Sequence, residues 1–117
     1  SKTNTPLQAL AMMNDPTVLE ASRVLADSLL REKSNTQHKI TKAFRLIVCR
    51  KPKEKELQLL NSYYSDQLKV FKNGAEAEKV LKAGEYPLSG KVNKASHAAM
   101  MTVITAIYNL EETITKS

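Results

Sequence analysis

One segment near the end of the chain restricts its possible folds more than any other. Between Lys94 and Leu110, a helix would carry apolar side chains on nearly every side. One side carries Ala95, Ala98, Ala99, Val103, Ala106, Ile107 and Leu110, and much of the rest carries Met100, Met101, Ile104 and Tyr108. A helix that is apolar all round must be surrounded by other elements. We therefore predict a helical bundle with this segment at its centre.

The rest of the chain supplies the surrounding helices. The predicted segments are Pro6 to Met13, Pro16 to the polar break at 34–36, from that break to about Arg50, Glu54 to Lys72, and Ala75 to Ala83. No strand signal, internal repeat or low-complexity tract interrupts them. With 117 residues and 42% apolar side chains, the chain fits one all-α, bundle-like domain of five to six helices over residues 1–117.

Helix starts are marked by capping residues. Thr5 and Asp15 each precede a proline, which suits the first helical position because proline has no N–H to leave unsatisfied. Asn93 is expected to cap the last helix, because asparagine side chains accept hydrogen bonds from the first backbone N–H groups of a helix. Asn73-Gly74 is typical of a helix stop.

Two helices differ in how their faces are patterned. In the helix from Pro16, an apolar stripe lies opposite a charged row that we expect to face solvent, namely Glu20, Arg23, Asp27 and Arg31. In the helix from Glu54, the main stripe is Leu57, Leu60, Tyr64, Leu68 and Phe71. A second stripe of Leu59, Tyr63 and Val70 points nearly the opposite way, so this helix is expected to lie between two neighbours. The second stripe is our candidate interaction surface.

Positive charge is concentrated in one segment of a chain with net charge +6. Only Glu54 balances Lys39, Lys42, Arg45, Arg50, Lys51, Lys53 and Lys55. Such clusters attract nucleic-acid phosphates. However, Lys39, Lys42 and Arg45 lie opposite an apolar stripe, where any soluble helix places charge. Ordinary solvent-facing lysines are the favoured interpretation, and nucleic-acid binding is the weaker candidate.

Residues with catalytic or metal-binding chemistry are few and scattered. His38 and His97 have no partner at ligand spacing, so we expect His38 at a helix start and His97 as a hydrogen-bonded core histidine. Neighbouring glutamates diverge on a helix and do not converge on a substrate. Cys49, the only cysteine, forms no internal disulfide and is expected to be a partly buried filler. We predict no catalytic, cofactor or metal site and no small-molecule ligand in this chain.

Four amides interrupt or flank the apolar segments at the two ends of the chain. They are Asn4, Gln8, Asn14 and Asn109. Each amide can both donate and accept hydrogen bonds to several backbone groups. We predict that they form a structural polar network that ties the first helix to the last one.

Several stretches resemble one known family. These are Thr3–Leu10, Met13–Pro16, Ala43–Ile47, Arg50–Pro52 and Asn109–Lys116, which follow in order along almost the whole chain. They are similar to a family of domains of unknown function that form the C-terminal part of large planctomycete and Bacteroidetes proteins. The chain departs from the family pattern at Cys49, where glycine is usual, and at Lys53, where threonine or serine often caps the next helix.

The resemblance implies a setting for the protein. Relatives are typically exported multidomain proteins with a cytochrome-c-like module upstream and sometimes carbohydrate-binding-like inserts. The implied location is extracytoplasmic, the implied partners are upstream domains of the same polypeptide, and haem c would belong to those domains. We therefore expect a C-terminal fragment with a structural or partner-docking role. The alternatives are part of a composite enzyme, redox or carbohydrate-directed, with its catalytic groups upstream, and nucleic-acid binding.

Overall fold

Helices and the short segments between them make up the described part of the protein. The computed structural model describes residues 15–72, 74–82 and 90–116, of which 111–116 are described by their backbone alone. The helices are α1 (Pro16–Arg31), α2 (Thr36–Val48), α3 (Glu54–Val70), α4 (Gly74–Leu81) and α5 (Lys94–Lys116). No strand occurs among these residues, which confirms the all-α prediction. The helix predicted from Pro6 to Met13 lies outside the described residues.

The last helix, α5, lies at the centre of the fold, as its apolar surface predicts. It contacts each of the other four described helices. Its side chains from His97 to Thr105, and that of Ile107, are buried. Phe44 of α2, Tyr64 of α3 and Ala77 of α4 belong to the same buried cluster. Removing these side chains from water is the main stabilising contribution to the fold.

Side-chain caps fix three of the helix starts. The Asp15 carboxylate accepts the Thr17 N–H at 2.9 Å at the start of α1. The Asn93 amide oxygen accepts the Ser96 N–H at 3.0 Å ahead of α5. Both caps confirm the predictions. Asn35 does the same for α2, where its side-chain oxygen accepts a backbone N–H at 2.8 Å.

Two helix boundaries differ from the predictions. The helix α5 continues to Lys116 instead of ending near Leu110. The apolar pattern stops at Leu110, but the polar residues after it include no glycine or proline that would end a helix. Gly74 does not stop α3, which ends at Val70, but is the first residue of α4.

The charged side of α1 is partly buried, so the prediction that it faces solvent is wrong. Arg23 and Asp27 are both buried. The Arg31 guanidinium lies 3.4 Å from the Asp27 carboxylate, and the His97 ring of α5 bonds to the Arg23 backbone carbonyl. The spacing of the charges correctly predicted that these residues share one side of α1. Whether that side is exposed to solvent or buried depends on the helices that pack around α1.

Lys39 is also buried, contrary to the expectation of a solvent-facing lysine. Its ammonium donates to the Glu32 and Ser34 carbonyls, both at 2.7 Å, and to the Ser34 hydroxyl at 3.0 Å. The last carbonyls of a helix have no partner within the helix and carry partial negative charge. Lys39 therefore closes the connection between α1 and α2 and is not available to a nucleic acid.

Cys49 ends α2 in a left-handed backbone conformation, and the expectation of a partly buried filler is wrong. Its φ is 66°, and it is the only described residue other than glycine with positive φ. Its side chain is exposed. Its N–H bonds to the Arg45 carbonyl at 3.0 Å, which completes the last turn. Glycine is the residue that this position favours, because a Cβ is strained there.

Replacing Cys49 with glycine is therefore expected to stabilise the protein. We expect Cys49→Gly to raise the free energy of unfolding by about 0.5–1 kcal/mol, and Tm by about 2–5 °C, because the strain at the left-handed position is removed. Thermal unfolding followed by circular dichroism measures the change. Cys49→Ala is the matched control, since it removes the thiol and keeps the Cβ. An equal gain in both variants would contradict a backbone origin.

Candidate functional site

The outward side of α3 carries most of the large apolar surface that the described residues expose. Three large apolar side chains are exposed in this part of the chain, and two of them, Leu59 and Val70, lie on α3. Leu59 is 71% exposed and Val70 is 56% exposed. The third is Leu46 of α2. Scattered exposed leucines are normal in soluble proteins, but a pair on one helix side is more specific.

Leu59 and Val70 share one side of α3 because eleven residues correspond to just over three turns of a helix. Tyr63 lies beside them and is half-buried against the core. Burial raises the pKa of the Tyr63 phenol. We call Leu59, Tyr63 and Val70 the α3 face. Among the described residues this side of α3 has no neighbour that covers Leu59 and Val70, so the expected second neighbour stays a prediction.

The opposite side of α3 is anchored in the core. Tyr64 and Phe71 are buried in the core, and Leu57, Leu60 and Leu68 are partly buried against the same core. This side contacts α2 and α5. The packing of this side against α2 and α5 fixes α3 to the rest of the fold.

Charged side chains surround the α3 face in an uneven pattern. Lys55 precedes Leu59 by one turn, and exposed Lys51 and Lys53 lie just ahead of it at the start of α3. Asp66, which is exposed, lies two turns after Leu59 and one turn before Val70. The face is therefore basic at its N-terminal end, while its C-terminal end carries one carboxylate, Asp66, with the exposed Lys69 beside it.

An ion pair next to this basic end joins Arg50, just after α2, to Glu56 in the first turn of α3. The Arg50 guanidinium donates to both carboxylate oxygens of Glu56 at 2.9 Å. It also lies 5.0 Å from the centre of the Phe44 ring. The Glu56 carboxylate accepts the Lys53 N–H at 2.7 Å and so caps α3 where the Lys53 side chain provides no cap. Arg50 and this N–H lower the pKa of Glu56 to about 2.

The basic segment predicted as a weak nucleic-acid candidate is divided by the structure. Lys39 is buried, Lys42 lies 2.7 Å from the Glu32 carboxylate, and Arg50 is held by Glu56. The remaining members, Arg45, Lys51, Lys53 and Lys55, are exposed. Nucleic-acid binding stays a prediction, with four exposed side chains to support it.

A cleft beside His97 is a feature that sequence patterns did not indicate. It has a volume of about 210 Å³ and lies between Asp27 of α1, Glu78 of α4 and His97 of α5. Its lining comes from distant parts of the chain, so no local motif marks it. The His97 Nε2 donates to the Arg23 carbonyl at 2.8 Å, which confirms the prediction of a hydrogen-bonded core histidine.

The predicted amide network falls largely outside the described residues. Asn4, Gln8 and Asn14 are not described, and Asn109 is half-buried on α5. A different polar contact joins α1 to α5, where the Ser22 and Thr105 hydroxyl oxygens lie 3.3 Å apart. Sequence reasoning missed this contact because both residues stand in otherwise apolar stripes.

The described residues contain neither a metal-ligand cluster nor a membrane-spanning helix. No group of three or more histidine, cysteine, aspartate or glutamate side chains lies close enough together there to hold a metal ion. No helix in that part of the chain combines the length and apolar character that crossing a membrane requires.

Comparison with known proteins identifies a family. The model of the family PSD1, described as a protein of unknown function (DUF1553), matches residues 1–64. This region includes α1, α2 and the first part of α3, with Leu59 and Tyr63. No curated protein matches the chain, and no solved structure does. Because the match covers more than half of the 117 residues, the chain belongs to the PSD1 family of proteins of unknown function.

Proposed function

We propose that this domain is a structural docking module that binds other parts of its parent polypeptide through the α3 face. The observation that carries the proposal is the exposure of Leu59 and Val70 on one side of a helix. Both side chains contribute little to the fold while they remain in water. Covering them with a partner would remove about 2–3 kcal/mol of unfavourable hydration, which favours association.

The same proposal includes the setting of the domain. It would form the C-terminal part of a large exported protein, with a cytochrome-c-like module and its haem c upstream. The resemblance of Thr3–Leu10 and Asn109–Lys116 to the family pattern supports this setting. The one cysteine of this chain is too few for a haem attachment motif with two cysteines, so that motif would lie in the upstream module.

A photocrosslinking experiment in the full-length parent protein tests the docking function. A benzophenone amino acid replaces Leu59, and mass spectrometry identifies the residues that it captures after irradiation. We expect crosslinks to residues of the same polypeptide outside this domain. The matched control replaces Ser28, which is exposed on α1, and is expected to give few crosslinks. Equal yields at the two positions, or capture confined to this domain, would overturn the proposal.

A further inference from the structure

We propose that the segment that docks on the α3 face is an acidic amphipathic helix. Its apolar side chains would cover Leu59 and Tyr63, and its carboxylates would face Lys53 and Lys55. This inference rests on the proposed docking function and adds the chemistry of the partner.

The start of α3 carries a concentration of positive charge that favours an acidic partner. Lys51, Lys53 and Lys55 are all exposed within five residues. The Glu56 carboxylate is already neutralised by Arg50 at 2.9 Å, which leaves Glu54 as the acidic side chain in this short segment. The N-terminus of a helix adds partial positive charge. A partner that approaches this end meets a positive field.

The spacing of charged and apolar groups on the α3 face matches that of an amphipathic partner helix. Lys55 and Leu59 are one turn apart on the same side of α3. From Lys55 to Val70 the helix rises about 22 Å, so an occupant of about fifteen helical residues would cover the face. A partner helix with glutamates one turn from its leucines matches this spacing. Its carboxylates would lie at the Lys55 end, and a donor or cation would lie opposite Asp66.

Two other occupants fit the face less well. A second copy of this chain would carry the same net charge of +6, so the two copies repel each other at long range. An anionic membrane would attract the lysines, but it would also receive Asp66, which lies between Leu59 and Val70 on the face. An acidic helix avoids both the repulsion between two basic chains and the contact of Asp66 with an anionic surface, provided that its carboxylates lie only at the end that faces Lys55.

Charge reversal in the parent protein tests the partner chemistry. With the crosslinker at position 59, the double variant Lys53→Glu/Lys55→Glu is expected to lower the crosslink yield about threefold to tenfold at low salt. The control Lys33→Glu/Lys82→Glu reverses two exposed lysines elsewhere and should leave the yield unchanged. The captured segment should carry aspartate or glutamate one turn from its apolar residues. Circular dichroism checks that both variants remain folded.

The possible outcomes separate the two proposals. Crosslinks that persist undiminished after charge reversal would overturn the acidic partner, while the docking function would stand. Absence of crosslinks at position 59 in the wild-type background would overturn the docking function itself. Sedimentation velocity and phosphatidylglycerol vesicles test the other occupants with the 117-residue chain. A dimer, or vesicle binding, that Leu59→Glu abolishes would also overturn the acidic helix.

Discussion

Ile104→Ala is expected to lower the free energy of unfolding by about 2–5 kcal/mol. Ile104 is fully buried in the middle of α5, the helix that contacts all the other described helices. Truncation removes apolar contacts and leaves a cavity that the surrounding side chains fill only partly. A domain of this size has a total stability of about 5–15 kcal/mol, so the loss is a large fraction of it. Urea unfolding followed by circular dichroism measures the change.

Leu59→Ala is the matched control for this variant. Both substitutions truncate an aliphatic side chain on a helix, but Leu59 is mostly in water. We expect the free energy of unfolding of Leu59→Ala to stay within about 0.5 kcal/mol of the wild type. If Leu59→Ala destabilised the isolated chain as strongly as Ile104→Ala, Leu59 would belong to the core and the α3 face would not be a free surface.

Much of this fold follows from short-range patterns in the sequence. The all-round apolar surface of α5 required a central helix, and Asp15 and Asn93 marked helix starts that the structure confirms. These features depend on residues within a few turns of each other. The α3 face could also be predicted from the sequence, because periodicity shows which residues share a side of a helix.

Periodicity does not show what lies beside each side of a helix. Arg23 and Lys39 have long aliphatic stems that can be buried while the charged end finds a partner, and both are buried. The cleft beside His97 needs Asp27 and Glu78 brought together from separate helices. Such features depend on tertiary packing, and no local pattern in this sequence encodes them.

The second large effect concerns the charge of Glu56. We expect Glu56→Gln to lower the free energy of unfolding by about 1–2 kcal/mol at neutral pH, because the charged hydrogen bonds from Arg50 are lost. The Glu56 and Arg50 side chains are 23% and 38% exposed, so water screens the pair and the effect is smaller than the full pKa shift implies. The glutamine retains an oxygen that can accept the Lys53 N–H, so the variant mainly tests the charge.

The pH dependence separates this charge from other effects of the substitution. The pKa of Glu56 falls from 4.5 to about 2 on folding. Its stabilisation is therefore complete above the unfolded value and is lost as the pH falls through the folded value. The difference between wild type and Glu56→Gln should be constant from pH 7 to about 5.5 and should shrink by more than half at about pH 3.

The matched control for the pH experiment is Glu54→Gln, which makes the same change at an exposed position in the first turn of α3. Its difference from wild type should be small at every pH, because ordinary surface charges contribute little. Urea unfolding between pH 3 and 7 measures both variants. A Glu56→Gln difference that stays constant across this range would mean that the lost stability comes from packing or capping. In that case the Arg50–Glu56 ion pair would not be what fixes α3, and with it the α3 face, against the end of α2.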